Sequence, residues 1–217
     1  MGIPNRSILR PRVLIADDHS IVAEGLRSIL DKTCEVVGMV QNGRDLVNEA
    51  LKLTPDVIVL DINMPLLNGL DAAKQVRAQL PQTKLVFLTM RDDPNLAAAA
   101  LELGPVGYVL KHSASSELLT AVSEVLQGRS FVTSKLRTEI SLERASRSKQ
   151  LKRELSPRQK EVLQLLAEGR PMKEIAGILR ISEKTVMFHK YHIMRSFNLK
   201  NNADLVLFAL KHNLISS

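Results

Sequence analysis

The chain has 217 residues, of which 45% are hydrophobic and 24% are charged. This composition is typical of a folded globular protein with one or two cores and little disorder. No apolar stretch reaches the roughly 18 residues that a membrane-spanning helix needs, so we predict neither a membrane contact nor an export signal. The single cysteine, Cys34, excludes an internal disulfide and a thiolate metal cage. We therefore expect a cytoplasmic protein with one buried, inert thiol.

The net charge of +7 is unevenly distributed along the chain. Up to Gly128 there are 12 basic and 15 acidic residues, whereas from Arg129 onward there are 18 basic and 8 acidic residues. A basic half of this density fits a polyanion such as nucleic acid, because phosphates attract Lys and Arg whatever the base sequence. A basic face that only keeps the protein in solution is the alternative.

Short runs rich in β-branched residues alternate with helical patterns in the first half of the chain. The predicted strands are residues 12–17, 35–40, 56–61, 84–89 and 106–111. The predicted helices are residues 21–31, 44–53, 70–80, 95–103 and 115–127. This (βα)5 alternation predicts an α/β domain whose doubly wound parallel sheet has right-handed crossovers.

The pattern changes after residue 128. Residues 129–153 are rich in Ser, Lys and Arg with weak periodicity, which predicts a linker. From Ser156 onward the apolar spacing is helical, and the SPRQ sequence is typical of a capping box with Pro at the first helical position. The predicted helices run from 157 to Gly169, which is the stop, and over 173–179, 183–197 and 203–212. They form an all-α four-helix domain.

Polar side chains follow four of the predicted strands at their carboxyl ends. Asp17 and Asp18 end the first strand, and Asp61 ends the third. Parallel strands bring these carboxylates to one edge, where a hard cation with oxygen ligands, most naturally Mg²⁺, would relieve their repulsion. Thr89 and Lys111 add a hydroxyl and an ammonium from the fourth and fifth strands. Together these groups can neutralise a phosphoryl group in transit to a carboxylate nucleophile.

The motifs at this edge resemble those of the receiver domain of two-component response regulators. They are ADD at 16–18, LDINMPLLNG at 60–69, LT at 88–89 and GYVLK at 107–111. The resemblance covers residues 10–128 and implies a flavodoxin-like fold. It also implies that Asp61 accepts a phosphoryl group from a sensor histidine kinase.

The same resemblance implies roles for the neighbouring residues. The metal site would contain Asp18 and Asp61 as Mg²⁺ ligands, Asp17 acting nearby through water, and the backbone carbonyl of Asn63. Thr89 and Lys111 would contact phosphoryl oxygens. Tyr108 is similar to the aromatic switch of the family, which moves inward as the hydroxyl is drawn to the phosphate. An ordinary half-buried strand tyrosine is the alternative for Tyr108.

Three residues depart from the commonest receiver pattern. Leu66 stands where small or polar residues are frequent, Pro105 precedes the last strand, and His112 rather than Pro follows Lys111. The first two could change loop stiffness and leave the chemistry intact. A residue other than Pro after the lysine is ordinary for the subfamily that the second half of the chain suggests.

Residues 155–215 resemble the LuxR-type helix-turn-helix of the NarL/FixJ subfamily of response regulators. The motifs are LSPRQKEVLQLLAEG, KEIAGILRISEKTV and ADLVLFALKHNLI. In this motif one helix braces the next, which enters the major groove of double-stranded DNA. The resemblance also implies that the last helix forms a homodimer, with core packing as the alternative. We thus expect a receiver at 10–128, a linker at 129–153 and a DNA-binding domain at 154–217.

The predicted recognition helix, residues 183–197, has two faces. Val186, Ile193 and Phe197 lie on one stripe and should be core. The predicted DNA-binding residues are Lys184, Thr185, Met187, Phe188, Lys190, Tyr191 and Arg195. The long basic side chains would meet phosphates, and the apolar side chains would approach base edges and favour thymine methyls. The alternative for Met187 and Phe188 is a partner-facing or simply exposed position.

Two other functions remain open. A phosphatase-type enzyme with an aspartyl nucleophile usually has a second acidic residue two positions after the nucleophile. Here the position two residues after Asp61 is Asn63. No P-loop or dinucleotide glycine pattern is present, so we predict a transcription regulator and not an enzyme. A DNA-binding regulator that works without phosphorylation is the second alternative, and the complete acidic site argues against it.

Overall fold

A parallel sheet of six strands organises the first domain in the computed structural model, which describes residues 10–90, 92–133, 136 and 155–215. The strands are β1 (Arg12–Ala16), β2 (Glu35–Val40), β3 (Val57–Asp61), β4 (Lys84–Thr89), β5 (Val106–Leu110) and β6 (Phe131–Val132). Their order across the sheet is β2-β1-β3-β4-β5-β6, and every pair is parallel. The predicted doubly wound α/β domain is confirmed.

Five helices connect the strands and cover both faces of the sheet. They are α1 (Ser20–Leu30), α2 (Gly43–Leu53), α3 (Gly69–Gln79), α4 (Pro94–Leu101) and α5 (Ala114–Leu126), and a 3₁₀ turn at Lys111–Ser113 precedes the last. Successive strand residues alternate between the two faces. In β3, Ile58 and Leu60 join the apolar cluster on one face, while Val57 and Val59 join the cluster on the other. Burial on both faces explains the nearly continuous apolar runs of the sequence.

The sixth strand was not predicted, because its two residues fall in the segment that the sequence assigned to the linker. Phe131 pairs with Gly107, and Val132 pairs with Tyr108. The pairing continues at Thr133, whose N–H donates to the Tyr108 carbonyl oxygen at 3.0 Å. Two residues are too few to show the alternation of apolar and polar side chains that marks a strand. This strand therefore forms by pairing with the edge of β5, and its own sequence pattern does not specify it. Residues 134–135 and 137–153 of the predicted linker, and residues 154 and 216–217 of the predicted DNA-binding domain, lie outside the described residues.

Two glycines bring helices α2 and α3 close to the segment that follows β3. A Cβ atom on Gly43 would overlap the carbonyl oxygen of Leu67, and one on Gly69 would overlap the carbonyl oxygen of Asp61. The N–H of Gly69 also donates to the Ile62 carbonyl oxygen at 2.8 Å. Residues 62–68, here called the β3–α3 loop, are therefore held tightly between the sheet and the starts of two helices.

Four helices form the second domain. They are α6 (Pro157–Ala167), α7 (Met172–Leu179), α8 (Glu183–Phe197) and α9 (Asn202–Lys211). The predicted capping box is present at α6: the Gln159 N–H donates to Ser156 Oγ at 3.3 Å, and the Ser156 N–H donates to Gln159 Oε1 at 2.8 Å. Gly169, at a φ of 79°, ends this helix as predicted. Among the described helices, none has both the length and the apolar character needed to cross a bilayer.

The two domains touch where α6 meets the β3–α3 loop. Gln164 of α6 is 1% exposed and hydrogen-bonds to Met64 and Asn68 of the loop. A second contact joins Asn213 Nδ2 to Asp93 Oδ2, at the cap of α4, over 3.2 Å. The segment immediately after Asp61 is therefore in contact with the second domain.

Candidate functional site

Two carboxylates and one ammonium group meet at the carboxyl edge of the sheet. Asp17 directly follows β1, Asp61 ends β3, and Lys111 directly follows β5. Lys111 Nζ donates to Asp61 Oδ2 at 2.7 Å and lies 2.7 Å from Asp17 Oδ2. Asp17 is fully buried, and Asp61 is only 4% exposed. The ends of β1, β3 and β5 thus place a cation between two acids that have almost no contact with solvent.

Four side chains at this edge could share one metal ion. The ligand atoms of Asp17, Asp18, His19 and Asp61 all lie within 4.8 Å of one another. Three of the four are carboxylates, and this oxygen-rich set suits a hard divalent cation. The donor set therefore fits Mg²⁺ chemically.

His19 is a member of this cluster that the sequence analysis missed. Its Nδ1 lies 2.8 Å from Asp18 Oδ1 and 3.4 Å from Asp17 Oδ1. Its backbone N–H donates to Asp17 Oδ1 at 2.9 Å, so the chain turns back over the carboxylate at this point. In the sequence, the only signal for this role of His19 is its position directly after two aspartates and before a helix.

Burial and charge act in opposite directions on the central pair. Burial raises the pKa of the Asp61 carboxyl, and the charge and hydrogen bond of Lys111 offset this effect only in part. Burial alone would lower the pKa of Lys111, but attraction to Asp61 and hydrogen bonds to Asp17 and Asp61 outweigh it, so this pKa is raised. The pocket therefore keeps its lysine charged and weakens the preference of Asp61 for the ionised form.

Asn63 lies against the same carboxylate. Its backbone N–H donates to Asp61 Oδ1 at 3.1 Å, so both oxygens of Asp61 have donors. The side-chain Oδ1 of Asn63 is buried, and it has no hydrogen-bond partner within the described ranges. The loop after β3 thus brings a further oxygen donor to the edge where the acids gather.

Thr89 and Tyr108 lie on neighbouring strands beside the pocket. Thr89 ends β4 and is fully buried. Tyr108 on β5 is also fully buried, not half-buried, and its hydroxyl lacks a hydrogen-bond partner among the residues that the structure describes. Burial, followed by the charges of Asp93 and Asp92, raises the pKa of Tyr108. The ring already packs inside the core, so an inward movement is not required to bring it there.

Helix α8, the predicted recognition helix, carries a large exposed apolar face. Met187, Phe188 and Tyr191 are 56%, 63% and 64% exposed, respectively. Val186 and Ile193 on the opposite side are fully buried, as the helical spacing predicts. Exposed apolar side chains of this size usually mark an interaction surface.

The polar residues predicted on this helix lie around the apolar face. Lys184 and Arg195 are exposed, whereas Thr185 and Lys190 are partly buried. The Thr185 hydroxyl lies 2.8 Å from that of Ser182, the residue that caps the helix. His192 Nδ1 lies 3.0 Å from Gln159 Nε2, so this helix also contacts α6.

Comparison with protein families assigns both domains. Residues 13–123 match the response regulator receiver domain, and residues 153–209 match the bacterial regulatory proteins of the luxR family. The oxygen regulatory protein NreC of Staphylococcus epidermidis is 38% identical over an alignment of 215 residues, and the match covers 94% of this chain and 99% of that protein.

Solved structures of similar proteins agree with this assignment. The Salmonella typhimurium response regulator RcsB matches with a TM-score of 0.64 and 30% identity, covering 92% of this chain and 96% of that chain. A structure of two RcsB dimers bound to two parallel DNAs matches with a TM-score of 0.57 and 30% identity, covering 92% and 97%. Both domains, in the same order, are therefore shared along nearly the whole chain.

A receiver joined to a LuxR-type helix-turn-helix characterises transcription regulators and not enzymes. The chain belongs to the NarL/FixJ family of two-component response regulators, and it is a DNA-binding member of that family.

Proposed function

We propose that Asp61 is the phosphoacceptor of this regulator and that a sensor histidine kinase is its donor. The observation that supports this most directly is the contact of Lys111 Nζ with both Asp17 and Asp61, each at 2.7 Å. In the transfer, an Asp61 oxygen forms the new P–O bond as the donor's P–N bond breaks. The imidazole of the donor leaves with the electron pair of that bond. Lys111 stabilises the negative oxygens at this step.

Mg²⁺ is the proposed cofactor of this reaction. Asp18 and Asp61 are its carboxylate ligands, Asp17 acts through water, and the backbone carbonyl of Asn63 completes the protein contribution. The ion would supply positive charge to the phosphoryl oxygens when bound. The cluster of Asp17, Asp18, His19 and Asp61 within 4.8 Å supports this assignment.

The proposed output is control of promoter binding by α8. Thr89 contacts the phosphoryl group, Tyr108 responds as the aromatic switch, and the receiver surface changes with them. The proposed DNA contacts are Lys184, Thr185, Met187, Phe188, Lys190, Tyr191 and Arg195. Helix α9 forms a homodimer on paired half-sites, as the RcsB dimers bound to DNA suggest.

The proposed location and domain limits follow the sequence. Kinase and promoter both require a cytoplasmic protein. The receiver comprises residues 10–128 and the DNA-binding domain residues 154–217, with the linker at 129–153. The family matches at 13–123 and 153–209 lie within or next to these limits.

Labelling with acetyl phosphate and Mg²⁺ tests the assignment of Asp61. We expect one phosphoryl group per chain, lost in Asp61→Asn and retained in Asp31→Asn, a matched control at an exposed residue. Mass spectrometry would locate the group. Stable labelling at another residue would contradict the proposal, and rapid turnover of varied phosphoesters would favour an enzyme. A complete lack of labelling would favour a regulator that works without phosphorylation.

A further inference from the structure

The end of β5 is held by a residue that lies beyond the proposed limit of the receiver at residue 128. Thr133 directly follows β6, in the segment that the sequence assigned to the linker, and it is only 3% exposed. Its backbone N–H donates to the Tyr108 carbonyl oxygen at 3.0 Å. A polar side chain buried to this degree needs partners for its hydroxyl group. The receiver supplies both of them.

The Thr133 hydroxyl joins β5 to α5. Its Oγ1 accepts from the Leu110 N–H at 3.3 Å and donates to Glu117 Oε2 at 2.6 Å. The second bond is charge-assisted and short, because its acceptor is a carboxylate. Leu110 is the last residue of β5, and Glu117 lies in the first turn of α5. One buried hydroxyl therefore connects the end of a strand to the start of the next helix.

This hydroxyl takes a place in the sheet ladder that a carbonyl group normally holds. In a regular parallel ladder the Leu110 N–H would donate to the Thr133 carbonyl oxygen, because the Thr133 N–H already bonds to Tyr108. That carbonyl oxygen instead accepts from the Leu136 N–H at 3.0 Å. The side chain of Thr133 supplies the acceptor in its place, which Val, with nearly the same shape, could not do.

Lys111 lies between the two points that the hydroxyl connects. It directly follows Leu110, and its 3₁₀ turn, Lys111–Ser113, leads into α5. Its Nζ lies 2.7 Å from Asp17 Oδ2 and 2.7 Å from Asp61 Oδ2. A lysine side chain has a long, flexible stem, so its contact with both acids depends on a fixed backbone. The hydroxyl bridge fixes this backbone on both sides of the turn.

Apolar contacts hold the same segment on both faces of the sheet. Phe131 packs against the apolar cluster that contains Val109, and Val132 packs against the cluster that contains Tyr108. Leu136 is fully buried in the second of these clusters. Because these contacts do not involve the hydroxyl, its removal should break two hydrogen bonds and leave the segment in place.

On the basis of the proposed phosphorylation of Asp61, we propose that Thr133 is a positioning residue for phosphoryl transfer, because its hydroxyl holds the turn that carries Lys111. Lys111 stabilises the negative phosphoryl oxygens, so its place relative to Asp61 decides how strongly the pocket binds them. The hydroxyl itself touches neither the acceptor nor the metal ligands. The phosphoryl site therefore depends on a residue of the segment after 128, and the reactive unit extends at least to Thr133.

The test compares two buried threonines in the full-length chain. Thr133→Val removes the hydroxyl and keeps the branched shape, whereas Thr133→Ser keeps a hydroxyl. Thr83→Val is the matched control: Thr83 is 5% exposed, and its hydroxyl donates to the Pro55 carbonyl oxygen at 2.9 Å, at the amino edge of the sheet. Urea denaturation measures stability. Calorimetric titration measures the affinity for Mg²⁺ alone and then for beryllofluoride, a phosphoryl mimic, with Mg²⁺ present.

Thr133→Val should bind beryllofluoride about tenfold more weakly than the unaltered chain, as is typical when an outer hydrogen-bond partner of a metal site is lost. Its affinity for Mg²⁺ should not fall, because Lys111 is a cation and supplies no ligand to the metal. Thr133→Ser should bind beryllofluoride as the unaltered chain does. Thr83→Val should lose stability as Thr133→Val does, but it should keep its affinity for beryllofluoride.

Glu117→Ala tests the same hydroxyl from its other side. It removes the acceptor of the hydroxyl proton and leaves Thr133 in place, so it too should weaken beryllofluoride binding. The double variant Thr133→Val, Glu117→Ala should bind no more weakly than Thr133→Val alone, because both changes break one chain of contacts. Additive losses would show two independent effects and would contradict the inference.

Three further results would overturn the inference. The first is an unchanged beryllofluoride affinity in Thr133→Val, or a Thr133→Ser variant that binds as weakly. The second is an equal loss in Thr83→Val, which would trace the effect to stability. The third is a parallel loss of Mg²⁺ affinity in Thr133→Val, which would trace it to a distorted metal site. All three leave the phosphoacceptor assignment intact, whereas an unaltered chain that bound no beryllofluoride would overturn that assignment and this inference together.

Discussion

Asp61 is held in an environment that does not favour its charge. In the unfolded chain its carboxyl would titrate near the ordinary value of 3.8, whereas burial raises the pKa in the folded protein. A raised pKa means that the fold is stabilised when this group is protonated. That contribution is fully present below pH 3.8 and is lost as the pH rises through the raised pKa. At neutral pH the ionised form of Asp61 therefore makes the fold less stable.

The substitution Asp61→Asn should therefore increase the free energy of unfolding at pH 7 without Mg²⁺. The increase in the free energy of unfolding should shrink as the pH is lowered toward the raised pKa of Asp61. Near that pH, Asp61 becomes neutral in the unaltered chain too. Urea denaturation at several pH values would measure both effects. Asp31→Asn is the matched control, and a less stable Asp61→Asn variant at pH 7 would contradict this reasoning.

Tyr108 offers a second test at a single atom. Its hydroxyl is buried and has no partner in the part of the chain that the structure describes. Tyr108→Phe removes this unpaired group and should raise the free energy of unfolding by about 1 kcal/mol. Tyr191→Phe, at an exposed ring, should change it by less than about 0.5 kcal/mol. Thermal or urea unfolding of both variants is sufficient, and a destabilised Tyr108→Phe would mean that the hydroxyl has a partner.

The helices and strands that have a strong hydrophobic periodicity were predictable from sequence. The predicted ends of the helices and strands lie within one or two residues of the observed ones in most cases, because capping residues and apolar spacing mark them. The two faces of α8 also follow from spacing, with Val186 and Ile193 inside and Phe188 outside. β6 was missed because edge pairing, not local pattern, forms it.

The apolar face of α8 leads to a prediction about sequence preference. Phe188→Ala removes an exposed ring from the predicted recognition helix and should cost about 1 kcal/mol, the value of burying one methyl group, at sites with a well-placed thymine methyl. The loss should be smaller at sites that lack this methyl. Competition binding with a panel of DNA sites would measure the difference, with Leu51→Ala on α2 of the receiver as a control at another exposed apolar residue. Equal losses at all sites would exclude a base-reading role.

Across the whole molecule, the distribution of charge was predictable from sequence, but the contact between the two domains was not. The acidic half corresponds to the receiver, and the basic half comprises the predicted linker and the DNA-binding domain. The carboxylates predicted at the strand ends also lie together, since topology alone places them. The docking of Gln164 on Met64 and Asn68 joins residues about a hundred positions apart through backbone atoms. Such a contact leaves no pattern in the sequence, because Glu161, Gln164 and Glu168 alone resemble a solvated helix face.

The excess of positive charge from Arg129 onward predicts a strong salt dependence of DNA binding. Each phosphate contact contributes a slope of about 0.9 when the logarithm of affinity is plotted against that of salt concentration. Lys184→Ala should weaken binding to all sequences about equally and reduce the slope by about 1. Fluorescence anisotropy at several salt concentrations would measure the slope. An unchanged slope would show that Lys184 does not contact a phosphate.

Gly43 and Gly69 are two positions at which the fold accepts no larger residue. Neither glycine has a side chain that could take part in phosphoryl transfer, yet any larger residue would collide with the main chain of Leu67 or of Asp61, the proposed acceptor. A genetic screen for inactive regulators would therefore recover these two positions alongside the reactive carboxylates. Both classes of variant would be inactive in cells. The glycine variants would fail because a side chain collides with the main chain, and the carboxylate variants would fail because a reacting or metal-binding group is lost.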